Sequence, residues 1–205
     1  MNMHRKCVMG ACVLTGLLLA GCGQAKVPEA VDTTSLAVSD KGTVTSYLVD
    51  VFDKDYYVLS ELKTMVLEEA AEYNTAHQSG ESALVTVEKV EPVESGGGKV
   101  IVVQSFDSAE TFADYNDSVL FYGTVADAVK AGYNLTGKLQ SVKDGSELSG
   151  DLITENLQSH LLITDYKAKL YCPDKVTHIS ENAVYCDDGS VDGLAAEGTV
   201  IILMK

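Results

Sequence analysis

Apolar side chains recur at two different periods along this chain, and each change of period marks a new element. Across residues 43–52, Val44, Thr45, Tyr47, Val49 and Val51 give the β-branched and aromatic pattern of a strand. Leu59, Leu62, Val66, Ala70 and Tyr73 then recur at helical spacing, while Glu61, Glu68, Glu69 and Glu72 fall largely off that stripe. Gly80 is a natural stop for the helix. Residues 83–93 and 99–106 are two β-rich runs on either side of Gly96-Gly97-Gly98, the clearest hairpin signal in the chain. Asp107-Ser108-Ala109-Glu110 and Thr124-Val125-Ala126-Asp127 each place an oxygen-bearing cap three residues before an acid, and Gly132 follows the second. They predict two short helices. From Lys138 onward short strand-like runs dominate, at 139–142, 161–164, 168–172, 176–179, 183–186 and 199–204. The pattern predicts an α+β fold: an antiparallel sheet packed by one long and two short helices, with a β-rich C-terminal half. There is no fixed-period internal repeat.

The N-terminal end follows neither period. His4, Arg5 and Lys6 precede an apolar stretch from Val8 to Leu19, too short to span a bilayer as a helix, and Leu19-Ala20-Gly21-Cys22 follows. This arrangement resembles the signal peptide and lipobox of bacterial lipoproteins. The resemblance implies that residues 1–21 are removed. It further implies that Cys22 receives a diacylglyceryl thioether, becomes the new N-terminus and holds the protein on the extracytoplasmic face of the cell membrane. More than one acyl chain on a single residue gives stable anchoring. Residues 22–42 are small and polar, with Pro28 and Asp32-Thr33-Thr34-Ser35, and read as a flexible tether of about 25 Å root-mean-square length. Residues 43–205 then form a single domain, with 43–136 and 137–205 as alternative lobes.

Charge narrows the partners. The chain carries a net charge of −15; Arg5 and Lys6 are the only Lys, Arg, Asp or Glu residues before Cys22, so their removal makes it −17. That sign argues against nucleic acid, which draws its affinity from Lys and Arg on phosphates. It also argues against the domain lying on anionic lipid, where like charges repel. Beyond the lipid, the partners that remain are an envelope protein or a glycan.

Of five cysteines, Cys7 and Cys12 leave with the signal and Cys22 carries lipid. Cys172 and Cys186 each follow a tyrosine at the end of an apolar run, so neighbouring strands would bring them together as a disulfide. Free thiols, or a zinc pair completed by His178, are the alternatives. Asp188-Gly189-Ser190-Val191-Asp192-Gly193 echoes the opening of a calcium loop through Asp188, Ser190 and Asp192. Thr199 stands where that loop needs a bidentate acid, so a solvated hairpin turn competes with it. Ser60-Glu61-Leu62-Lys63 matches a Ser-x-x-Lys box without its Lys-Thr-Gly companion, and no Walker, dinucleotide or Gly-x-Ser-x-Gly motif points to a cofactor or a serine nucleophile.

Ten tyrosines and no tryptophan offer contact area with polar tips, notably Tyr56, Tyr57 and Tyr122. The whole organisation is similar to small surface lipoproteins of Firmicutes, a resemblance that carries no catalytic residue onto this chain. It implies a non-enzymatic binding or protein-interaction module on the cell surface. An envelope hydrolase with a non-local acid/base site, or an accessory subunit of a membrane complex, is the alternative.

Overall fold

In the computed structural model, which describes residues 25–205 apart from 78, 79, 81, 94, 95, 136 and 149–151, each sheet combines strands that lie far apart in the sequence. The signal-peptide reading and Cys22 lie outside the described residues. The elements run β1 (Ser35–Val38), β2 (Val44–Val51), α1 (Leu59–His77), β3 (Val85–Pro92), β4 (Lys99–Phe106), α2 (Ala109–Tyr115), β5 (Leu120–Thr124) and α3 (Val125–Lys130). They continue through β6 (Leu139–Ser141), α4 (Leu152–Asn156), β7 (His160–Thr164), β8 (Lys169–Tyr171), β9 (Val176–Ser180), β10 (Val184–Tyr185), β11 (Val191–Asp192) and β12 (Val200–Met204).

The fold is α+β, with strand pairing that is antiparallel except between β1 and β8. Sheet A has the order β10-β11-β8-β1-β2-β4-β3 and sheet B the order β5-β7-β12-β9-β6. Each sheet draws strands from both sides of residue 136, so the chain does not divide into lobes at that point.

The main core lies between the sheets. Leu36, Val44, Phe106 and Leu170 from sheet A meet Leu162, Ile202 and Met204 from sheet B, with Phe112 of α2 among them. The odd-numbered neighbours Leu161, Ile163, Ile201 and Leu203 point to the other face of sheet B, where Val125 and Ala128 of α3 cover them. That two-sided burial explains why β7 and β12 read as unbroken apolar runs rather than alternating ones. On the outer face of sheet A, Val93, Ile101 and Val103 pack with Tyr47, Val49 and Val31.

Local chemistry sets the boundaries. Thr124 and Asp127 make both reciprocal bonds of a capping box at the start of α3, and Gly132 follows its end at φ 83°. At α2 the cap is Ser108, one residue later than the Asp107 expected, because the Ser108 hydroxyl accepts from Thr111 N at 3.0 Å. The predicted stripe of α1 faces the body of the protein, but only Ala70 is buried; Leu59, Leu62, Val66 and Tyr73 are half-buried. Asn74 ties α1 to β3. Its Oδ1 accepts from Leu84 N and Val85 N, both at 2.9 Å, and its Nδ2 donates to Val85 O at 2.7 Å.

The tether reading needs correcting at its C-terminal end. Residues 35–38 form the strand between β2 and β8, with Leu36 and Val38 fully buried, and residues 39–42 form the turn into β2. A flexible coil cannot hold that place. Four residues of Ser-Leu-Ala-Val are too few for a period to be read from sequence, and only pairing on both sides makes them a strand.

Candidate functional site

Among the described residues two places gather functional groups. The first is built by the turn from β2 into α1. Tyr57 N donates to Lys54 O at 2.9 Å, which folds the turn so that the Tyr57 ring stacks on Phe52 with centroids 4.9 Å apart. Tyr56 meets Tyr57 edge-on at 4.9 Å. Tyr56 is 73% exposed and Tyr57 42%, with Val51 and Val58 exposed beside them. A cleft of about 270 Å³, lined by Phe52, Tyr57, Leu59, Pro92, Gly98 and Lys99, opens next to the rings. The β3–β4 hairpin can close here because Gly96, Gly97 and Gly98 all take positive φ, and a Cβ at Gly98 would stand 3.0 Å from that of Asp53. The adjacent Tyr56 phenol, followed by the modest burial of the ring and then Asp53 and Asp50, raises the Tyr57 phenol above its usual range. The exposed faces of both rings are open to a partner.

The second place was not legible as a site in the sequence. His160 opens β7 and Asp174 sits in the loop between β8 and β9; the His160 Nδ1 to Asp174 Oδ2 distance is 2.7 Å. Tyr122 Oη donates to the same Asp174 oxygen at 3.4 Å and lies 3.5 Å from His160 Nδ1. A carboxylate only accepts, so Asp174 fixes the proton on Nδ1 and leaves Nε2 as the second imidazole position. Burial first, then the Asp174 charge, push the Tyr122 phenol well up, which keeps it a protonated donor. An open cleft of about 580 Å³ lies alongside, lined by residues 154–160 together with Asp174, Met204 and Lys205. Tyr122 is therefore half-buried and occupied by internal partners, rather than the surface contact the sequence suggested. Nothing local announces the trio, because a 14-residue gap in sequence closes only when sheet B forms.

The cysteine and calcium readings also change. Cys172 and Cys186 are free thiols. They follow β8 and β10, and β11 lies between those strands, setting the backbones about 10 Å apart, beyond the reach of a disulfide of roughly 7 Å between Cα atoms. Burial, then the Asp174 charge, push the Cys172 thiol up to about 12. His178 belongs to β9 in the other sheet, so it does not complete a zinc site with them. Asp188, Ser190 and Asp192 form the β10–β11 hairpin. Asp188 Oδ1 accepts from Ser190 N at 3.1 Å and from the Ser190 hydroxyl, while Oδ2 accepts from Lys169 Nζ at 2.8 Å. Asp192 instead caps Leu194 N at 2.9 Å. The oxygens are spent on turn and ion pair, and the Lys169 and Ser190 bonds hold the Asp188 carboxyl down at about 2. Among the described residues no group of three His, Cys, Asp or Glu side chains is placed to hold a metal ion, and no helix is long and apolar enough to cross a membrane.

Comparison of the chain with protein-family models, curated proteins and solved structures finds no match.

Proposed function

We propose that the protein is a lipid-anchored extracytoplasmic lipoprotein whose domain is a non-enzymatic interaction module, presenting Tyr56 and Tyr57 to an envelope protein. The observation that carries this reading is the aromatic ledge at the β2–α1 turn. With Tyr57 stacked on Phe52 and Tyr56 packed edge-on against Tyr57, the two rings lose little side-chain entropy when a partner covers them, and the flanking Val51 and Val58 add apolar area. A protein partner suits that mixture of aromatic and aliphatic surface better than a glycan, which would use ring faces with polar neighbours. The anchoring half of the proposal rests on the lipobox alone.

The test is crosslinking on intact cells followed by capture of the full chain, run beside a Tyr56→Ser, Tyr57→Ser double variant. A discrete envelope protein should be enriched with the native chain and fall by roughly tenfold with the variant, the equivalent of about 1.4 kcal/mol. Equal recovery from both would remove the ledge from the account. Retention on envelope polysaccharide instead of protein would transfer the reading to a glycan.

The pairing of His160 with Asp174 beside an open cleft favours a second reading, a hydrolase in which imidazole Nε2 acts as general base toward water. Hydrolysis of an envelope polymer by the native chain and its loss in His160→Gln would support it. Persistence of that hydrolysis in His160→Gln would dismiss it.

A further inference from the structure

The first residues of the described chain do not leave the domain freely. Val31 packs with Tyr47 and Val49 on the outer face of sheet A, and Lys99 Nζ donates to Asp32 O at 3.3 Å. Pro28 and Ala30 line a small cleft with Lys169, Tyr171 and Asp192, and Lys26 lines another with Tyr171, Lys175, Tyr185 and Asp188. Three peptide steps separate Cys22 from Ala25, and three steps span at most about 11 Å whatever path they take. A lipid on Cys22 therefore brings the β10–β11 edge of sheet A down to the bilayer, where a flexible coil from Cys22 to residue 42 would have lifted it clear.

We propose that this edge faces the phospholipid surface, with Val184 and Tyr185 at headgroup level, and that the α1 edge of the sheet points outward. This rests on the anchoring of Cys22 proposed above. Val184 is 65% exposed and Tyr185 38%, an aliphatic and an amphipathic ring of the kind that settles at a membrane interface. The charges around them are close to balance: Lys26, Lys169 and Lys175 stand near Asp174, Asp187, Asp188 and Asp192, and Lys169 pairs with Asp188 at 2.8 Å. At the opposite edge, α1 exposes Glu61, Glu68, Glu69 and Glu72, which an anionic surface repels. Six inter-strand steps separate β10 from β3, about 29 Å. The tyrosine ledge follows β2, four of those steps or about 19 Å from β10, and its cleft reaches Pro92 at the end of β3, so one orientation both anchors the domain and displays its contact surface.

The absence of tryptophan from the chain permits a direct test. Full chains carrying Tyr185→Trp or Val129→Trp are made in bacterial membranes, purified and reconstituted in phosphatidylglycerol–phosphatidylcholine vesicles with spin-labelled lipid. Val129 is an exposed residue of α3, on the far side of sheet B. On vesicles the Tyr185→Trp variant should lose roughly half its indole emission to the spin label, with a blue shift, and the Val129→Trp variant should keep its emission. Val184→Trp repeats the test should Tyr185→Trp misfold. Unquenched emission from the Tyr185→Trp variant in vesicle-bound, lipidated protein, or equal quenching of the two variants, overturns the orientation and leaves the anchoring intact. An N-terminal peptide without lipid mass, in protein that does not float with vesicles, overturns the anchoring and the orientation together.

Discussion

Single side chains hold the joints of this molecule, and two of them, Asn74 and Asp188, can be tested singly. Asn74 satisfies three backbone groups at the α1–β3 junction, so Asn74→Ala leaves them without partners and should cost about 3 kcal/mol in urea unfolding. Asn74→Asp keeps the two acceptor bonds and should cost less. At Asp188 the folded carboxyl is depressed to about 2 from its ordinary value of 3.8. The stabilisation by Lys169 is therefore complete above about pH 4 and is lost as the pH falls through about 2. Because both side chains are partly exposed, it amounts to about 0.5–1 kcal/mol, and Asp188→Asn should flatten the acid limb of the stability curve by that much. The two thiols should separate kinetically. With Cys172 raised to about 12, a thiol reagent at about pH 8 should modify Cys186 in the native protein and Cys172 only after denaturation. Rapid modification of both would contradict the burial of Cys172, and a native mass two units low from a disulfide would contradict the strand order that sets the two thiols apart.

At the scale of elements, the decisive prediction concerns β1. If residues 35–38 were tether, Leu36→Ala would be silent; as a strand with Leu36 wholly buried, it should lower stability by about 3 kcal/mol by chemical denaturation. The elements legible in sequence were those whose signal is local. The α1 stripe, the Gly96–Gly98 hairpin and the Thr124 capping box depend on residues within a few positions of one another, and all three are present. The elements that sequence did not reveal depend on neighbours far along the chain. β1 exists because β2 and β8 flank it, and β5 because it pairs with β7 about forty residues later. The same reason explains the candidate sites. Tyr56 and Tyr57 were visible as a local pair, whereas the His160–Asp174 contact and the separation of Cys172 from Cys186 are products of sheet order.

Across the whole molecule, the layers give the chain two differently constituted edges. Near β10 the N-terminal segment is packed down and charge is close to balance; near β3 and α1 the surface is acidic, and the aromatic ledge stands at the β2–α1 turn that leads into it. An anchored protein arranged this way meets its partner on the side away from lipid, which is the central claim. The most direct measurement is site-specific photocrosslinking on intact cells with a benzophenone side chain placed at position 56, and at position 129 as the control. The account predicts one discrete envelope-protein adduct from position 56 and none from position 129. No adduct at position 56, or the same pattern from both, would contradict it.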